Sequence, residues 1–203
     1  TLWNGRNINY FPTTRFSLKA DTNQLKARGV QPEKYWCKFI PELNWEYAKE
    51  FYSIADLVLM DILQSNDWER PVCFTNLDYY DHFIGLNKHC VKKGMVNELL
   101  PIAPSAKKDR AKMFDIETMK AAFLDDEKLS DFTKDKYYRY ESRDISRSVF
   151  RPVYFFLADA FLERGDVENT EKTLDRCVKS LPNEHVQFRK YMFDVGKLYY
   201  KID

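Results

Sequence analysis

Glycine is scarce: 6 glycines in 203 residues is about 3%, against ~7% in an average protein. Gly5, Gly29, Gly85, Gly94, Gly165 and Gly196 never fall into GxGxxG or GxxxxGK, which excludes the phosphate-cradling loops of those two kinds. No run of eighteen apolar residues occurs. The richest stretch, Ile54 to Leu63, is broken by Asp56 and Asp61, so this sequence does not span a membrane by itself. An excess of one charge is missing too. The 32 basic and 31 acidic side chains leave +1, too little to draw the chain toward nucleic acid or anionic lipid. Cys37, Cys73, Cys90 and Cys177 lie far apart with no CxxC and read as buried thiols, which say little about compartment. Thr1 is not preceded by methionine or by a charged-then-apolar leader, so the sequence reads as a piece of a longer or processed protein.

Aromatic residues are plentiful at 16%, and the length suffices for one large domain or two small ones with a real core. Alternation from Arg15 to Ala20, with Phe16 and Leu18 on one side, predicts a strand. From Asn44 onward Ala48, Phe51, Tyr52, Ala55, Val58, Leu59 and Ile62 recur at helical spacing and predict a long helix ending near Ser65 and Asn66. Pro71 introduces a second predicted strand, Val72 to Thr75. Tyr79 to Lys92 reads as a helix stopped by Gly94. Met95 to Ile102, with Val96 to Ile102 as its strand, is stopped by Pro101 and Pro104. The expectation is a mixed α/β, α+β chain. A small three-stranded, partly parallel sheet covered by helices occupies 1–108, and an all-helical part occupies 109–203.

The helical part opens with a charged segment and a predicted helix from Asp115 to Leu124, then a polar stretch to Arg143. Beyond it Tyr154, Leu157, Ala158, Phe161, Gly165, Thr170, Leu174, Cys177 and Pro182 occupy successive key positions of a tetratricopeptide repeat. Gly165 ends the first helix, Asp166 caps the second, and a third helix from Glu184 to Tyr200 carries Phe188, Tyr191, Val195 and Leu198. Pro152 either kinks or starts the first of these helices.

Asp61-Ile62, Asn66, Trp68, Arg70, Pro71, Phe74, Gly85, Leu86, Leu100 and Pro101 stand in an order that resembles one known group. It is the C-terminal soluble part of large bacterial multi-pass membrane proteins related to the transmembrane protein O-mannosyltransferases. The resemblance covers most of the chain from about residue 45, and Cys73 stands where an aromatic is commoner. It implies a parent with a membrane-embedded glycosyltransferase half of the C type, which uses a polyprenyl-phosphate sugar on the outer membrane face. Catalytic residues of that half have no counterpart here. The resemblance therefore implies a non-catalytic, extracytoplasmic (periplasmic) accessory domain that needs no cofactor and contacts the parent membrane domain, an acceptor polypeptide or a glycan.

The residues themselves offer two candidate sites. Trp68, Arg70, Asn76, Tyr79 and Tyr80 fall near one edge of the expected sheet, where rings, amide and guanidinium suit a glycan or peptide. The plainer reading of Arg70 is an internal salt bridge fixing the start of the strand. Asp78, Asp81, His82, His89 and Cys90 form the best ligand-type group; with Asp78, His82 and His89 on one helix face they would suit a metal-dependent enzyme. The plainer reading there is a solvated Asp-His helix face. A third reading is a free-standing tetratricopeptide adaptor. Tyr137, Tyr138 and Tyr140 lie among mixed charges, which argues against nucleic-acid stacking.

Overall fold

The structure, a computed structural model, describes residues 2–3, 6–7, 14–31, 38–48, 52–75, 84–103, 114–125 and 140–203. The chain divides into two compact units. The first comprises 1–91 and 96–104, the second 92–95 and 105–203, so the division falls at the tip of a hairpin.

In the first unit, β1 (Leu2–Trp3) pairs antiparallel with β2 (Arg6–Asn7), and β3 (Arg15–Lys19) with β4 (Glu42–Glu46). Leu43 and Trp45 of β4 are buried while Asn44 and Glu46 face out, a period-two pattern. Directly opposite, Phe16 pairs with Trp45 and stacks on it at 5.6 Å. Between β3 and β4 lies α1 (Thr22–Ala27), capped by the Asp21 carboxylate. The strand at β4 corrects the expected helix from Asn44. The helix, α2 (Ile54–Asn66), begins only after Ser53, whose hydroxyl and Asp56 form a reciprocal capping box.

A three-stranded sheet is present, but its membership differs from the expectation. Its order is β5 (Cys73–Phe74), β7 (Val96–Leu99), β6 (Cys90–Lys93), with β5 and β7 antiparallel. Arg15–Lys19 belongs to another sheet, and Cys90–Lys93 replaces the C-terminal part of the helix expected over Tyr79 to Lys92. Residues 76–83 of that helix lie outside the described residues. Because the strands meet through the two-residue Gly94-Met95 turn rather than a helical crossover, the partly parallel arrangement is not formed there.

The second unit contains α3 (Ile116–Phe123), with Asp115 as its N-cap. Lys92 bridges Phe114 in parallel, a strand-like contact not foreseen after Pro104. Then α4 (Tyr140–Ile145) runs through a π-helical turn, Ser146–Phe150, into α5 (Arg151–Glu163). Pro152 therefore sits in the first turn of α5, directly after the π-helical turn. Gly165 takes φ +75°, and Asp166 accepts from the Asn169 amide to start α6 (Val167–Ser180). Tyr154, Leu157, Ala158, Phe161, Thr170, Leu174 and Cys177 are all buried, as their helical spacing requires. The third helix, α7 (Lys190–Ile202), starts later than expected, after a turn over residues 182–185.

Candidate functional site

The signature segment Asn66 to Pro71 follows directly from the end of α2. Asp67 and Trp68 both take left-handed backbone, at φ 41° and 63°, which costs a non-glycine residue roughly 1–2 kcal/mol. The surrounding bonds hold that conformation. Asn66 donates through Nδ2 to the Arg70 carbonyl at 2.8 Å and accepts from the Arg70 amide at 3.3 Å, closing the turn with a side chain. Trp68 is 5% exposed, and its indole N–H donates to the Lys19 carbonyl at 2.6 Å. The Trp68 carbonyl in turn accepts from Arg28, whose guanidinium also meets the buried Glu98 carboxylate at 2.5 Å. Trp68 is thus a core residue with its polar atom spent inside, which corrects its assignment to a ligand-binding rim.

Arg70 is exposed, and the guanidinium that meets a buried carboxylate is that of Arg28 instead. Asn76, Tyr79 and Tyr80 lie outside the described residues, so the five proposed contacts are not brought together by the part described. Gly85, at φ +82°, follows Ile84 at φ +43°. A Cβ on Gly85 would stand 3.0 Å from the Glu46 carbonyl, which explains why the segment has glycine before Leu86.

Of the metal-type group, Asp78, Asp81 and His82 also lie outside the described residues. His89 is buried in a short 3₁₀ turn, Asn87–His89, rather than on a helix face. Its Nδ1 lies 2.7 Å from the Ile102 carbonyl, which can only accept, so Nδ1 carries the proton. Burial holds the His89 pKa below its ordinary value, with the adjacent Lys88 charge acting in the same direction and the Ile102 bond against it. Cys90 is buried and its thiol pKa is pushed up by desolvation. Among the described residues no three His, Cys, Asp or Glu side chains are grouped to hold a metal ion. Cys177 is buried as expected, with its pKa pushed up to about 12, but Cys73 is exposed, a correction to its reading as a core thiol.

The feature left open to solvent is on α2. Ile54, Val58 and Ile62 recur every four residues, are 82%, 51% and 47% exposed, and are joined by Leu57 at 39%. The opposite side buries Asp56 and Leu63, with Leu59 and Met60 packed against the core. The helix is therefore apolar on two sides, whereas a helix covering a single core needs one. The helical spacing places Val58 and Ile62 on the buried face, and both are exposed instead; Ile54 and Leu57 do not belong to that spacing.

The first unit is thus an α+β module whose signature turn is locked internally and whose exposed apolar helix faces outward. None of the helices among the described residues is long and apolar enough to cross a membrane. The family model of TMEM260-associated domain 2 matches residues 1–120, and the chain belongs to that family, an accessory domain of TMEM260-like membrane proteins. No curated protein and no solved structure matches the chain.

Proposed function

We infer that the chain is a non-catalytic, extracytoplasmic accessory domain of a membrane-embedded, glycosyltransferase-like parent. Its task is to contact the membrane-embedded part of that parent. The reading is supported chiefly by the outward stripe Ile54, Val58 and Ile62 on α2, in a family tied by its name to a membrane protein. A row of aliphatic side chains in water is unfavourable, at roughly 25 cal/mol per Å² of apolar surface that a partner would cover. Placement on the periplasmic side, and contact with an acceptor polypeptide or glycan, belong to the same proposal and rest on the resemblance to the O-mannosyltransferase group.

Photo-crosslinking in the full-length parent reconstituted in nanodiscs tests it. A benzophenone side chain at Val58 is expected to crosslink to the membrane-embedded part, and one at Ser17, exposed on β3, is not. Equal capture from both positions, or none from Val58, would remove the proposal.

A further inference from the structure

The exposed face of α2 is not purely apolar. Asp61 stands three residues after Val58 and seven after Ile54, so it shares that face with the aliphatic stripe, directly beside Ile62. It is exposed and has no hydrogen-bond or ion-pair partner among the described residues. The other carboxylate of the helix behaves in the opposite way. Asp56 is buried, accepts from the Ser53 amide at 2.8 Å and the Ser53 hydroxyl at 2.7 Å, and meets the Tyr47 hydroxyl at 3.2 Å. Asp61 finds no such donor along its own helix. Its neighbours one turn away are Leu57, Val58, Gln64 and Ser65, and residues 54–69 carry Asp56, Asp61, Asp67 and Glu69 without a lysine, arginine or histidine.

That one charge restricts what can cover the stripe. Sinking α2 into hydrocarbon would strip Asp61 of water with nothing to replace it. Lying on an anionic headgroup surface would set negative charge against negative charge, and the helix lacks the lysines and arginines that such surfaces attract. A second copy fares no better. Asp61 is one residue past the midpoint of α2, so in a two-fold pair of these helices crossing at their centres it would approach its own equivalent within about a turn.

We propose that Asp61 is the polar anchor of the α2 interface, and that the surface it meets is protein, presenting a lysine or arginine among apolar side chains. Val58 and Ile62 flank the contact and keep water from it, which strengthens a charge-assisted hydrogen bond to the carboxylate. The inference rests on the reading of α2 as the helix that contacts the membrane-embedded part of the parent. It adds which surface of that part the helix fits: one outside the hydrocarbon, apolar around a single cation.

The test is made in the full-length parent in nanodiscs, with the benzophenone side chain at Val58 and a second substitution at Asp61. Because Asp61 is exposed and makes no bond among the described residues, its replacement leaves the fold intact, which equal melting temperatures of the 203-residue variants verify. Asp61→Glu is expected to keep the crosslink to protein, Asp61→Asn to weaken it severalfold, and Asp61→Lys to lower it at least ~tenfold. Equal or higher yield with Asp61→Lys overturns this inference and leaves the docking of α2 in place. Capture of lipid instead of protein, or no capture from Val58 when Asp61 is unchanged, removes both. Sedimentation of the 203-residue chain as a dimer that Val58→Lys dissociates also overturns the inference, because a second copy would then be the occupant.

Discussion

Replacing Arg151 by methionine should unfold the second unit at markedly lower denaturant. Arg151 is 1% exposed at the start of α5, and its guanidinium donates to three backbone carbonyls: Gln187 at 2.9 Å, Leu181 at 2.8 Å and Val186 at 2.8 Å. The Phe188 ring lies 5.0 Å from the guanidinium carbon. One cation thus gathers the turn between α6 and α7. Hydrogen bonds to a charged group contribute about 1.5–3 kcal/mol each, which over three bonds is roughly 4.5–9 kcal/mol. Burying the guanidinium offsets several kcal/mol of that. Methionine fills the volume of the stem and leaves three carbonyls without their donor, so the expected loss is about 3–5 kcal/mol, a large share of a domain's usual ~5–15. Arg151→Lys keeps the charge but not the planar fork and should fall between. Urea unfolding followed by circular dichroism reads the difference. A loss below about 1 kcal/mol for Arg151→Met would mean that the turn is held by packing and the three bonds add nothing.

His89 gives a pH dependence of definite sign. Its folded pKa is lowered from 6.5, so the unfolded chain binds the extra proton first and stability falls as pH drops below 6.5, by up to ~1.4 kcal/mol per pH unit. His89→Gln should flatten the slope of the unfolding midpoint between pH 7 and 5. Gly85→Ala should cost about 2–4 kcal/mol in thermal or urea unfolding, from left-handed strain plus the close Glu46 carbonyl, whereas Gly29→Ala meets no neighbour and should cost only the strain. Asp166→Ala should lower stability by about 0.5–2 kcal/mol through the lost cap, with Asp166→Asn restoring most of it. A thiol reagent on the native chain should label Cys73 rapidly, and Cys90 and Cys177 only after unfolding.

In the second unit α3, α5 and α6 are legible because their evidence is local, whereas the start of α4 falls in what reads as a polar stretch to Arg143. The caps Asp115 and Asp166, the stop at Gly165, and the buried positions from Tyr154 to Cys177 all act within a few residues. The strand at Glu42–Glu46 was missed although Leu43, Trp45 and Tyr47 alternate. The apolar residues that follow, from Ala48 to Ile62, carry helical spacing and absorbed the reading. The strand at Cys90–Lys93 was missed because Cys90, Val91 and Lys92 are all buried, so no alternation marks it. Trp68 was read as a rim residue because its indole partner, the Lys19 carbonyl, is 49 residues away, and Arg28 meets Glu98 across 70. Spacing cannot report such pairings. The open stripe on α2 was hidden for a related reason: hydrophobic periodicity identifies an apolar face but does not say which of two is covered.

Hydrogen exchange at the α2 amides tests the central claim most directly, by comparing the isolated 203-residue chain with the full-length parent in nanodiscs. If α2 docks on the membrane-embedded part, exchange across residues 54–62 slows in the parent while that of α6 is unchanged, and Val58→Lys with Ile62→Lys abolishes the slowing without lowering the isolated chain's melting temperature. Identical exchange at residues 54–62 in both contexts would contradict it.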